Sequence, residues 1–253
     1  RNTVLSMTQD HTPLPTSRAA LMARLQEERT YDLAVIGGGA TGLGVALDAA
    51  VRGFSVVLVE SHDFAKGTSS RATKLVHGGV RYLAQGNIAL VREALHERTT
   101  LLRNAPHLAQ PLAFVMPSYR CWESPFYGVG LKMYDALAGS AGLGATEFSG
   151  AQRTLQCLPT VRPEGLKGGV KYWDGQFDDA RLALALARTA ALHGALLVNY
   201  CAARTLVHEQ DKVSGLQCED TETGQTFHIR ARCVVNATGV WVDALRQQDS
   251  EAI

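Results

Sequence analysis

Three glycines and one acid carry the first chemical signal in this chain. Residues 32–60 read DLAVIGGGATGLGVALDAAVRGFSVVLVE. Gly37, Gly39 and Gly42 have the GxGxxG spacing, and Glu60 ends the apolar run that follows. In this pattern Gly37 lets the chain turn sharply off a strand. Gly39 leaves no side chain between backbone and a pyrophosphate, and Gly42 lets a helix lie close on a sheet. The free N–H groups and positive dipole end of that helix attract phosphate. A carboxylate at Glu60 can accept hydrogen bonds from both hydroxyls of a ribose, and it repels a 2'-phosphate, so NADP fits poorly. The chemistry indicated is dinucleotide binding. Glycine-rich turns also occur in ordinary strand–turn–helix units, and Ala46, Ala49 and Ala50 suit either reading. The strand before, the helix after and the acid in place favour the dinucleotide. The motif alone does not choose between FAD and NAD.

The elements that must position these residues are readable in outline. Apolar strands are predicted at 33–36 and 56–59, with a small-residue helix between them. Leu21 and Leu25 suggest a short amphipathic helix within 17–29. Ile88, Val91, Leu95 and Leu102 put a helix over 87–104, stopped before Pro106. A strand is expected at 112–116, whereas 120–150, rich in glycine, aromatics and small residues, yields no assignment. Residues 171–175 read as a strand entering a turn at Asp174-Gly175. Asp178 or Asp179 then caps a helix that runs through His193 and ends at Gly194. A strand at 196–200 precedes three short β segments near 203–209, 213–219 and 225–231. A further strand at 233–235 runs into Asn236-Ala237-Thr238-Gly239. A β-meander returning to a parallel sheet and ending on Ala-Thr-Gly is a feature of two-domain FAD proteins. NAD domains continue alternating strand and helix, so FAD is favoured. The fold class expected is α/β: a Rossmann-like FAD-binding domain, a parallel sheet with a β-meander, plus part of a substrate or cap domain.

Composition excludes several classes. Lys and Arg number 25 against 24 Asp and Glu, a net charge of +1, and no basic stripe interleaves with aromatics, so no nucleic-acid surface is expected. Cys121, Cys157, Cys201, Cys218 and Cys233 are odd in number and lack a CxxC pair, which argues against a disulfide framework or structural zinc and for a reducing cytoplasmic interior. His96, His107, His193, His208 and His228 lack ligand spacing, so no metal is expected. No GxSxG or Ser/His/Asp arrangement points to a hydrolase. No run reaches the ~20 apolar residues of a membrane span, and no signal-peptide core precedes the first strand, so membrane contact would be peripheral. Residues 1–16, with Pro13 and Pro15, are expected to pack loosely. The chain opens on Arg1, with Met7 a candidate start, and stops soon after a motif that sits mid-chain in flavoproteins. A partial protein is therefore expected.

Four further motifs accompany the glycine fingerprint: GTSS (67–70), KLVHGGVRYL (74–83), FDDARL (177–182) and VNATG (235–239). With them, residues 31–246 closely resemble the N-terminal portion of the FAD-dependent glycerol-3-phosphate dehydrogenases of the aerobic, quinone-linked type. The stretch TSSRATKLVHGGVRYL is specific to that family; the GxGxxG and Ala-Thr-Gly motifs belong to many flavoproteins. The resemblance implies non-covalent FAD, oxidation of sn-glycerol 3-phosphate to dihydroxyacetone phosphate, and electron delivery to membrane quinone. It implies a peripheral location at the cytoplasmic or inner membrane, and a homodimer is a further expectation. In the family a substrate-binding half with phosphate-binding basic residues continues past the Ala-Thr-Gly motif. The segments expected are an N-terminal extension (1–30), a first FAD-binding segment (31–110), a partial substrate-domain insertion (111–175), a second FAD-binding segment (176–246) and a truncated end (247–253).

Oxidising a secondary alcohol on flavin requires a base for the hydroxyl proton, and histidine suits neutral pH. His77, followed by two glycines that admit close backbone approach, is the leading candidate; the alternative is that it only hydrogen-bonds cofactor or backbone. Arg81 could grip the substrate phosphate or reacting oxygen through a forked contact, or sit in a structural ion pair. Tyr82 could line the same pocket or simply pack. Thr68, Ser69 and Ser70 offer hydroxyls and amides to the cofactor, although without the resemblance a turn or cap would be preferred. Lys74 could stabilise negative charge on reduced flavin or lie in a solvated loop. The resemblance adds Leu75, Gly79, Ala203 and Gly239 as cofactor contacts, Ala203 on the adenine side. Asp178, Asp179 and Arg181 read as capping and ion-pair residues. Two alternatives are an amino-acid or 2-hydroxy-acid oxidase on the same scaffold, and a flavin-binding module without catalysis.

Overall fold

The structure, a computed structural model, describes residues 16–83 and 85–250, with main chain only at 80, 81, 140 and 250. The expectations for the first 15 residues and for 251–253 lie outside the described residues. The chain divides into two compact units: the residues through Ala72 joined by those from Asp179 onward, and Thr73–Asp178 between them.

The first unit opens with helix α1 (Arg18–Leu25), strand β1 (Thr30–Ile36), helix α2 (Ala40–Val51) and strand β2 (Val56–Val59). The second unit holds β3 (Leu75–Val76), α3 (Val80–Leu83), α4 (Ile88–Asn104), β4 (Ala109–Ser118), α5 (Glu123–Ala138), β5 (Glu147–Gly150), α6 (Ala151–Cys157) and β6 (Gly168–Phe177). The chain then returns to the first unit through α7 (Asp179–Leu192), β7 (Leu196–Val198), β8 (Cys201–Glu209), β9 (Lys212–Asp220), β10 (Thr226–Asn236) and α8 (Val242–Ser250).

In the first unit six strands form one sheet in the order β7-β2-β1-β10-β9-β8. The four from β7 to β10 run parallel, and β9 and β8 are antiparallel additions at one side. This is the expected α/β class with a meander. Side-chain alternation along β1 sends Val35 to one face and Ala34 and Ile36 to the other. Val35, Val56 and Leu58 pack with Leu43, Ala46 and Ala50 of α2 and with Ala183, Ala187 and Ala190 of α7. These alanines let two helices lie close on the sheet and on each other. The other face buries Val57, Val59, Leu216, Phe227 and Ile229 beneath Leu25 of α1 and Leu245 of α8.

The strand at 225–231 and the separate one at 233–235 are one continuous strand. The first half of β10 pairs antiparallel with β9, Thr226 opposite Glu219, and the second half pairs parallel with β1, Thr30 opposite Arg230 and Ile36 opposite Asn236. No glycine or proline interrupts Ile229 to Val235, so nothing breaks the extended chain as pairing passes from β9 on one edge to β1 on the other. The strand at 196–200 ends two residues early, because Tyr200 adopts φ +49° and leaves the sheet.

In the second unit β3, β6 and β4 form an antiparallel sheet to which β5 adds on β6. Asp174-Gly175 is not a turn. Both residues lie inside β6, where a Cβ on Gly175 would fall 2.8 Å from the Val76 carbonyl oxygen, so the glycine admits a close strand. The unassigned stretch 120–150 contains α5, whose glycines masked its helical period. Gly128 is there because the Phe148 ring occupies the place of its side chain. Val91 and Leu95 of α4 pack on Tyr134 and Ala138 of α5, and the Asn87 side chain caps α4 by accepting from the Leu90 amide at 3.1 Å.

Candidate functional site

A crevice of about 400 Å³ opens in the first unit where β1, β2 and β10 end. Ligands in open α/β sheets bind at such carboxyl ends of strands. Gly37, Gly39, Glu60, Thr68, Ser69, Ala203 and Gly239 all line it. Residues far apart in sequence, read as cofactor contacts, thus share one wall system. Each glycine has a distinct reason to be there. Gly37 has φ +112°, and a Cβ on it would lie 2.4 Å from the Ala237 carbonyl oxygen of the neighbouring strand end. On Gly42 a Cβ would lie 2.0 Å from the Gly37 carbonyl oxygen, so this residue, not itself in the wall, lets α2 start tight against the turn. Gly39 differs: only Ser69 Oγ, at 3.1 Å, lies near the position of its missing Cβ. A side chain there would stand in the crevice itself. That is the cradle a pyrophosphate needs, and the start of α2 beside it supplies amides and dipole.

Glu60 is held in place rather than merely present. Its Oε2 accepts from the Gly38 amide at 2.6 Å and its Oε1 from the His62 amide at 2.8 Å. A carboxylate has about four acceptor positions, so capacity remains for ribose hydroxyls. Ser69 Oγ accepts from the Ala40 amide at 2.9 Å, which ties the 3₁₀ turn Thr68–Ser70 to the start of α2. Ser70 turns back, its hydroxyl donating to the Gly67 carbonyl at 3.4 Å. At the opposite wall Asn236 Oδ1 accepts from the Thr238 amide and hydroxyl at 3.2 and 2.7 Å, folding Ala-Thr-Gly into a tight turn with Gly239 at φ +60°. The residues present fit a dinucleotide.

All of the remaining candidates but Asp179 and Arg181 belong to the second unit. Lys74 has φ +62° and its carbonyl accepts from the Phe177 amide at 2.9 Å; Leu75 pairs opposite Gln176 in β3. His77 is exposed just after β3. Gly78 is buried, and Gly79 takes φ +73° with its carbonyl accepting from the Tyr82 amide at 2.8 Å. Tyr82 is half-buried, packs beside the Val91–Leu95 cluster and lies over Gly79. Arg81 has its main chain in α3, and its side chain lies outside the described residues. Asp179 behaves as a cap: Oδ1 accepts from Ala180 and Oδ2 from Ala72, at 2.7 and 3.0 Å.

Several residues escaped the sequence reading. Gly38 cannot carry a Cβ, which would meet the Phe64 ring at 2.7 Å and Glu60 Cβ at 2.9 Å. The unbroken Gly-Gly-Gly was the available signal. Trp241 lines the crevice with its ring 3.3 Å from where a Gly67 Cβ would be, and Lys66 stands exposed in the same wall. In the second unit Arg98, Tyr134 and Asp174 form a buried polar cluster that no local motif announces. Among the described residues no group of three His, Cys, Asp or Glu side chains could hold a metal, and no helix is long and apolar enough to cross a membrane.

Comparison with known proteins bears directly on this crevice. The family model described as FAD dependent oxidoreductase matches residues 32–253. The mitochondrial glycerol-3-phosphate dehydrogenase of Rattus norvegicus is 46% identical over 252 residues, covering 94% of this chain and 35% of the relative. Among solved structures, the glycerol-3-phosphate dehydrogenase from Bacillus halodurans complexed with FAD superposes with a TM-score of 0.71 at 38% identity, covering 92% of this chain and 38% of that one. The L-alpha-glycerophosphate oxidase from Mycoplasma pneumoniae with FAD bound has a TM-score of 0.65 at 19% identity, covering 87% of this chain and 57% of its own, a likeness of fold alone. The chain spans about a third of the length of the curated relatives it matches.

Proposed function

The chain belongs to the FAD-dependent oxidoreductase family, and from that premise we propose that it is the FAD-binding portion of an enzyme oxidising sn-glycerol 3-phosphate to dihydroxyacetone phosphate, with electrons passed to a membrane quinone. One observation carries the reading: the crevice in which Gly39 leaves room for a pyrophosphate while Glu60 is held at the end of β2. FAD, when bound, supplies the two-electron acceptor for the substrate's hydride. The chain's own residues supply placement and charge. Gly37, Gly39 and Gly239 bring backbone to the pyrophosphate, Gly42 lets the start of α2 lie close beside it, Glu60 binds the ribose, and Ala203 lines the adenine side. Thr68, Ser69, Ser70, Lys74, Leu75 and Gly79 hold the flavin side. His77 accepts the substrate hydroxyl proton on an imidazole nitrogen, Arg81 holds the phosphate or reacting oxygen, and Tyr82 lines the pocket.

The segments at 31–110 and 176–246 then form the cofactor side and 111–175 part of the substrate side. The substrate preference rests on the similarity to the glycerol-3-phosphate dehydrogenases. Peripheral attachment at the inner or cytoplasmic membrane and a homodimer complete the proposal. The test is the visible spectrum of the flavin-loaded protein before and after adding sn-glycerol 3-phosphate. Bleaching, followed by reoxidation with a quinone analogue and little peroxide, is the expected result. Bleaching by 2-hydroxy acids or amino acids instead, with stoichiometric peroxide, would favour the oxidase reading. Bound flavin that no such substrate bleaches would identify a binding module.

A further inference from the structure

The second unit contains a charged cluster that the proposed chemistry does not use. Arg98 of α4, Tyr134 of α5 and Asp174 of β6 are 3%, 2% and 2% exposed. Arg98 Nη1 donates to Asp174 Oδ1 at 3.0 Å and to the Tyr134 hydroxyl at 3.3 Å, and that hydroxyl donates to Asp174 Oδ2 at 3.2 Å. Arg98 Nη2 donates to the Ala141 carbonyl at 3.0 Å, whereas its buried Nε has no partner. A buried ion pair is seldom more stabilising than apolar residues of similar volume, so a cluster with an unsatisfied donor calls for a reason other than stability.

Asp174 shows where that reason lies. Its Oδ1 also accepts from the Gly78 amide at 3.2 Å and from the Gly175 amide at 3.1 Å. The Tyr134 hydroxyl oxygen lies 2.1 Å from where a Cβ on Gly78 would be, and Leu95 Cδ2 lies 2.6 Å from it. Backbone at 78 is therefore pressed onto the cluster, bonded to Asp174 and left no room for a side chain by Tyr134 and Leu95. Residue 77, an exposed histidine, precedes this fixed point directly, and Gly79 at φ +73° follows it. Burial, reinforced by the Asp174 charge, pushes the Tyr134 phenol well above its ordinary range, so it stays protonated and keeps donating.

We propose that Arg98, Tyr134 and Asp174 are positioning residues that clamp the backbone at Gly78 and so set the place of His77. The proposal rests on the reading of His77 as the proton acceptor. Tyr134→Phe removes one oxygen and Asp174→Asn one charge, each with little change of shape. Hydrogen exchange at the Gly78 amide of the flavin-loaded protein should quicken about tenfold or more in both variants, while β1 amides of the first unit keep their protection. In substrate-driven flavin reduction kcat should fall by roughly ten- to a hundredfold, as expected for a displaced group. KM and FAD content should stay within about twofold. Should Asp174→Asn fail to fold, Tyr134→Phe decides alone.

Unchanged exchange at Gly78 overturns the clamp. Faster exchange with unaltered kcat overturns its link to His77. If the unmodified protein bleaches with no substrate tried, the proposed activity fails and the link to catalysis fails with it; the exchange data then still decide whether the clamp itself exists.

Discussion

At the scale of single residues two of the three fingerprint glycines make separable predictions. Gly39→Val should fold normally, because only Ser69 Oγ lies near the new side chain, yet purify without flavin. Yellow protein from that variant would remove Gly39 from the cofactor site. Gly37→Ala should instead destabilise by about 2–4 kcal/mol, since φ +112° and the Ala237 carbonyl at 2.4 Å both oppose a side chain. Urea unfolding distinguishes the two. Arg81→Ala should lower kcat/KM for glycerol 3-phosphate by roughly a hundredfold with FAD retained, the scale of a lost charge-assisted fork. Unchanged kcat/KM would take Arg81 out of the site. The glycines were legible because the motif names a backbone conformation and a chemistry together. Trp241 and Lys66 were not, because an aromatic and a lysine near a loop carry no such signature. The Arg98–Tyr134–Asp174 cluster was invisible for a plainer reason: its members join only through tertiary packing.

At the scale of elements, local pattern succeeded where periodicity was clean. Helix α4, with its Asn87 cap, and the β1–α2–β2 unit needed no tertiary knowledge. The pattern misled at glycines whose purpose is packing. Gly175 looked like a turn residue but admits a neighbouring strand, and Gly128 and Gly130 hid α5. The same reasoning applies to Gly215 in β9, where a Cβ would fall 2.1 Å from the Ile229 carbonyl oxygen. Gly215→Val should therefore separate β9 from β10 and cost about 2–4 kcal/mol in urea unfolding. A loss under about 0.5 kcal/mol would show that this edge of the sheet yields easily. The continuity of β10 also explains why a meander and a parallel sheet coexist: one strand serves both, antiparallel in its first half and parallel in its second.

At the scale of the molecule, two compact units are built from three stretches of chain, a division that no composition shift marks in the sequence. Stability of the first unit should carry an acid-sensitive component. Burial alone would raise the Asp220 carboxyl, but the Glu222 amide, the Thr223 hydroxyl and the Arg18 guanidinium outweigh it and hold the pKa below its ordinary 3.8. A lowered folded-state pKa gives stabilisation that is complete above the ordinary value and lost as pH falls through the lowered one. Asp220→Asn should thus be less stable than the parent at pH 6, with the gap narrowing toward pH 3. A constant gap across that range would assign Asp220 no role in acid unfolding.

The function turns on the occupant of the crevice at the ends of β1, β2 and β10. The direct measurement is cofactor content: purify the chain, add FAD, remove the excess, and quantify what heat or acid releases, with NAD treated in parallel. Retention of stoichiometric FAD without NAD, abolished by Gly39→Val, is the predicted result. A colourless protein that folds yet keeps no FAD, or that retains NAD in its place, would contradict it.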